Sequence, residues 1–163
     1  DGDTGQSVFQ YTVVYDVDGG FVTGGGWINS PLGSYVSNPL LTGKANFGFV
    51  SRYKKGATIP TGETAFQFKV ADLKFQSTSY EWLVVAGGKA KYKGSGTING
   101  GGDYGFMLTA IDGDINGDGI DKFRIKIWEK STEVVVYDNK IGTDDLSYDA
   151  TELGAGSIVI HKE

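Results

Sequence analysis

Apolar residues in this chain recur at every second position, and no segment repeats them with the three-to-four-residue period of a helix. Successive side chains of a strand point to opposite faces, so alternation marks a half-buried strand and a 3.6-residue period marks a helix. Ala65 to Val70 places Phe66, Phe68 and Val70 on one face and Gln67 and Lys69 on the other. Lys122 to Trp128 sets Phe123, Ile125 and Ile127 against Arg124, Lys126 and Trp128. Val8 to Asp16, Gly25 to Ile28, Ala45 to Tyr53, Leu73 to Ser77, Lys89 to Ile98, Tyr104 to Ile111, Glu133 to Tyr137 and Ser157 to His161 read the same way. Glu81 to Ala86 is a continuous apolar run, the pattern of a strand covered on both sides. Gly, Asn and Asp clusters separate these segments, and 26 of the 163 residues are Gly. Short strands at this spacing predict an all-β fold: one domain over residues 1–163, an antiparallel β-sandwich or jelly roll of about ten strands.

Composition removes whole classes of chemistry. There is no Cys, and His161 is the single His. Disulfides, thiolate metal sites, Cys nucleophiles, His-rich metal sites and a Ser–His–Asp triad are therefore excluded or strongly disfavoured. A net charge of −5 opposes binding to polyphosphates and anionic membranes and favours cations. No apolar run reaches the roughly 18 residues of a membrane helix. With no initiator Met and no signal peptide, the chain reads as a mature or excised piece, expected to be a monomer.

A short motif occurs twice. Gly24-x-Gly26-x-Ile28-Asn29 matches Gly94-x-Gly96-x-Ile98-Asn99, and each is followed by a Gly-x-x-x-aromatic-Gly-Phe string, Gly43 to Phe49 and Gly100 to Phe106. The repeat predicts two similar hairpins, one per sheet.

The strongest local signal for chemistry is Asp112-Gly-Asp114-Ile-Asn116-Gly-Asp118-Gly-Ile-Asp121. Oxygen-bearing side chains recur at alternate positions with Gly between them. Calcium takes six to eight hard oxygen ligands at about 2.3–2.6 Å, and a tight loop can bring alternate side chains to one point. Closely spaced carboxylates repel one another unless a cation neutralises them. Asp112, Asp114, Asn116, Asp118 and Asp121 are accordingly the candidate calcium ligands. The twelfth position is apolar in either register and strands flank the loop, so it is not an EF-hand. The competing reading is a solvated loop of Asp-Gly and Asn-Gly turns. Asp1-Gly-Asp3 and Asp16-Val-Asp18-Gly19 are weaker copies.

No catalytic motif is present, and the six Glu form no recognisable acid–base pair, so no catalytic residue is assigned. Exposed aromatic rings can serve as stacking platforms for sugars. Trp128, Trp27 and Tyr35 are the candidates, with Trp128 foremost because its parity puts it with Arg124 and Lys126. Trp82, within an apolar run, reads as core. The stretch Asp138 to Gly156 is acidic, shows no strand pattern, and is long enough to be a functional or mobile loop.

The order of GGGWINSP, GKANFGFVSRYKKG, PTGETAFQF, WLVVAGGKAKYKGSGTING, YGFMLTAIDGD, DKFRIKIW, VVYDN and GSIVIH resembles the post-choice-of-anchor (Post-COAP) modules at the C-termini of large secreted bacterial proteins. The similarity covers Gly24 to His161. It implies a β-rich, non-enzymatic accessory module, secreted or at the cell surface, and contributes no catalytic residue. The expected function is a calcium-stabilised accessory or adhesion module, working beside neighbouring domains of the same chain. The alternative is a carbohydrate-binding module that holds a linked enzyme or cell on a polysaccharide or cell-surface glycan. A carboxylate-dependent enzyme is a third reading.

Overall fold

A computed structural model describes residues 20–161. The strand expected over Val8 to Asp16 and the acidic copies at Asp1 and Asp16 lie outside the described residues. In chain order the strands are β1 (Phe21–Ser30), β2 (Gly43–Arg52), β3 (Thr61–Phe68), β4 (Leu73–Ala86), β5 (Lys89–Ile98), β6 (Gly101–Ile111), β7 (Lys122–Glu129), β8 (Val135–Asp138), β9 (Thr151–Glu152) and β10 (Ala155–His161). A single helical turn, α1 (Gly113–Asn116), sits between β6 and β7. The all-β expectation holds. The strands form one antiparallel sheet in the order β10-β1-β2-β3-β4-β5-β6-β7-β8, with β9 pairing β7 off that path.

One sheet makes a core by curling until its ends face each other. Phe47 on β2 stacks on Phe123 of β7, with ring centroids 4.0 Å apart. Phe66 on β3 meets Tyr137 of β8 at 4.7 Å. The β1–β3 wall thus packs against the β7–β8 wall in the manner of a sandwich, although the strands between them are continuous. β4, at 14 residues the longest strand, carries register shifts between Ser77 and Ser79 and between Tyr80 and Trp82. Such bulges sharpen twist and bend a strand, which is what a curling sheet needs at its middle.

The repeated motif forms two hairpins, β1–β2 and β5–β6. Gly24 is the register partner of Phe49, and Gly94 of Phe106. A Cβ at Gly24 would come within 2.6 Å of the Phe49 ring, and one at Gly94 within 2.9 Å of the Phe106 ring. Each glycine leaves room for an inward ring on the neighbouring strand, and this shared packing explains the shared sequence. The expectation of one hairpin per sheet is corrected, because the described strands all belong to one sheet.

Both sheet edges are covered. The backbone N–H of Val36 donates to Val136 O on β8 at 3.1 Å, and that of Asp138 donates to Ser34 O at 2.9 Å. The edge of β10 receives a different cover, from side chains. Unpaired strand edges invite association with other chains, and natural sheets blunt them in such ways.

Candidate functional site

The loop joining β6 to β7 supplies that cover. Asp112 accepts from Asp114 N with Oδ1 at 3.1 Å and from Ile160 N with Oδ2 at 2.8 Å. Asp121 accepts from Gly113 N at 2.7 Å and from Ile158 N at 2.8 Å. Ile158 and Ile160 lie on β10, so two carboxylates clasp two N–H groups of its edge. Asp114, Asn116 and Asp118 are exposed, and Asp118 accepts from Ile120 N at 2.9 Å and lies 3.9 Å from Lys122 Nζ. The five residues expected to share an ion are therefore divided between the β10 edge and the outer tip of the loop. Among the described residues no three His, Asp or Glu side chains are grouped so as to hold a metal.

The acidic stretch after β8 forms a strap across the outer face of β5–β7. Lys91 Nζ donates to Thr109 Oγ1 at 2.7 Å, to Asp145 O at 2.8 Å and to Ser147 O at 2.9 Å. Arg124 grips both carboxylate oxygens of Asp138 at 3.0 and 2.8 Å and reaches the carbonyls of Thr143 and Asp144. Lys126 pairs with Asp145 at 2.7 Å. Arg124 and Asp138 are each only 2 % exposed. Parity places Arg124 on the outer face as expected, but the strap converts that face into a buried one. Burial, and then the neighbouring Arg124 charge, lower the Lys91 pKa to about 8. Sequence reasoning missed this cluster, since the alternating Lys and Arg of β5 and β7 look like an ordinary solvated face.

Inside the core, Thr64 Oγ1 lies 2.7 Å from the hydroxyls of both Tyr80 and Tyr92. Burial raises the pKa of each tyrosine. The Tyr80 hydroxyl donates onward to Val50 O at 2.9 Å, so this network stitches β2 to β4.

The candidate aromatics do not converge. Trp128 is half-buried on the outer face of β7, its ring lying over Gly105, where a Cβ would come within 2.4 Å of it. Lys93 and Lys126 approach that ring to 5.8 and 5.9 Å of its centroid. Trp27, also half-buried, lies over Gly154 in the same manner, with Lys44 Nζ 4.3 Å from its centroid. Both indoles shield a glycine backbone that has no side chain of its own, a recurring device of sheets. Tyr35 bridges Tyr137 and packs partly against the core. Trp82 is buried, as its apolar run implies, and lies opposite Lys93 of β5 beside the main core cluster.

No protein family, curated protein or solved structure matches the chain.

Proposed function

We propose that this chain is a non-catalytic accessory or adhesion module of a secreted multidomain protein, a β platform that fastens its own edges and offers its outer surface to a partner. The observation that supports this reading is how the buried charges are used. Asp112, Asp121, Lys91, Arg124 and Asp138 each close a gap between strands or hold the strap, with their oxygens and nitrogens committed to backbone or to one another. The resemblance to Post-COAP modules points the same way. The test is a panel of chromogenic glycosides and esters run beside retention assays on insoluble polysaccharides and bacterial cells. Retention without turnover is expected; turnover that co-purifies with the domain and disappears on replacing a pair of carboxylates would overturn the reading.

Calcium enters this proposal as a stabiliser at the loop tip. Asp112 and Asp121 already accept two N–H bonds each, so an ion would draw on Asp114, Asn116, Asp118, backbone carbonyls and water. Extracellular modules bind calcium at roughly 10⁻⁴–10⁻³ M. About 10 mM calcium would then add about 1.4–2.7 kcal/mol of stability over chelator. An unchanged melting temperature removes calcium and leaves the accessory role in place.

A carbohydrate-binding role is the second reading, favoured by the partly exposed indoles of Trp27 and Trp128.

A further inference from the structure

Residues 43 to 76 hold Lys44, Arg52, Lys54, Lys55, Lys69 and Lys74 against only Glu63 and Asp72, in a chain whose net charge is −5. They build β2, β3 and the start of β4, whose inward residues Phe47, Phe49, Phe66 and Phe68 fill the core. The outward residues surround a trough. Gly25, Gly48 and Ala65 are register partners across β1, β2 and β3, a row with almost no side chain above the backbone. A Cβ at Gly48 would meet nothing within 4 Å. This leaves a hollow of about 170 Å³ bordered by Asn46, Gln67 and Lys74. Further along the same face, Val50, Arg52, Lys54 and Glu63 border a second hollow of about 410 Å³. From Asn46 to Arg52 the seam runs about 20 Å at the rise of an extended strand. Among the described residues Arg52, Lys54 and Lys74 form no ion pair.

We propose that this trough binds a polysaccharide bearing carboxylates, a polyuronate. The inference rests on the carbohydrate-binding reading but uses neither indole as its main contact. Cations with no carboxylate partner among the described residues, Arg52 resting over the Phe21 ring, are complementary to carboxylates on a ligand. The amides of Asn46 and Gln67 each offer a donor and an acceptor, which suits the hydroxyl pairs between those carboxylates. A duplex nucleic acid fits less well: its unbroken row of phosphates would run past Glu63 and against the acidic remainder of the chain.

Affinity electrophoresis in gels containing polygalacturonate, with dextran as the neutral control, tests the proposal, and calorimetry gives the affinities. The wild-type domain should be retarded by polygalacturonate and less so as salt rises. Losing one charge-assisted hydrogen bond costs about tenfold or more in affinity. The Arg52→Gln/Lys54→Gln double variant and Lys74→Gln should show losses of that order with melting curves unchanged. Gly48→Trp should fill the first hollow without altering charge and weaken binding comparably. Full-strength retardation of all these variants would overturn the trough while leaving carbohydrate binding intact. Failure of the wild type to bind any glycan would overturn both. Equal retardation by duplex DNA at matched charge would show a general polyanion surface and overturn the polyuronate.

Discussion

The two outer walls of the curled sheet carry similar cations and treat them in opposite ways. On β5–β7, Lys91, Arg124 and Lys126 lie under or beside the strap and are bound to its carbonyls, to Asp138 or to Asp145. On β2–β4 and the turn after β2, Arg52, Lys54 and Lys74 border hollows that no strap covers among the described residues. The first wall already has its anionic partner, contributed by the same chain. The comparison teaches that a lysine row on a strand is scaffold or surface depending on what lies over it, and that the open wall is where to look for a ligand.

The largest effect should come from breaking the covered wall. Asp138→Ala leaves the Arg124 guanidinium buried without its carboxylate, a loss of about 3–5 kcal/mol in urea unfolding. Arg52→Ala on the open wall should change stability by less than about 0.5 kcal/mol. Equal losses would erase the contrast.

The next effect is a pH dependence confined to the covered wall. Folding lowers the Lys91 pKa from 10.5 to about 8, so between those values the unfolded state binds the extra proton. Stability should therefore rise by about 2 kcal/mol from pH 8 to pH 10 as the burial penalty on the charged form disappears. Above about pH 10 the trend should reverse, because burial raises the pKa values of Tyr80, Tyr92 and Tyr137 and the unfolded tyrosines ionise first. Lys91→Met should flatten the rise; a rise that persists in this variant would assign it to another group.

The clasps on β10 come third. Asp112→Ala and Asp121→Ala each leave a strand N–H without its acceptor, at about 1–3 kcal/mol apiece. Amide exchange should quicken at Ile160 in the first variant and at Ile158 in the second. The smallest loss on the covered wall is that of Trp128→Ala, which uncovers Gly105 for about 0.2–1 kcal/mol. A loss of several kcal/mol would mean that this indole is as much a part of the covered wall as Arg124.

Strand positions were legible because alternation records which residues face the core, and β5 begins and ends where the pattern does. The number of sheets was not, because alternation says nothing about which strands are neighbours. The same limit hid the burial of Arg124: its parity was readable, but the strap that covers it begins 19 residues later at Thr143. In the β6–β7 loop, oxygens at alternate positions suit a cation and also suit turns in which Asp accepts nearby backbone N–H groups. Two of the N–H partners that Asp121 and Asp112 take, on Ile158 and Ile160, lie 37 and 48 residues away. The doubled glycine motif was readable as paired hairpins because both its glycines and the rings that cover them are encoded within one hairpin.

The pairing of β1 with β10 sets an order of assembly. Phe21 opposes His161, and the Thr23–His161 hydrogen bond spans 138 residues. The other ladders along the sheet join strands adjacent in the chain, apart from the short β7–β9 contact, and can zip from turn to turn. Closing so long a span carries an entropic cost that local hairpins avoid, and it slows folding. β10 is therefore the strand expected to dock last, onto a β1 edge and a pair of carboxylates already positioned by the β6–β7 connection. During synthesis, the β2–β8 meander would gather before that final strand leaves the ribosome, holding the β1 edge open until the two aspartates receive it.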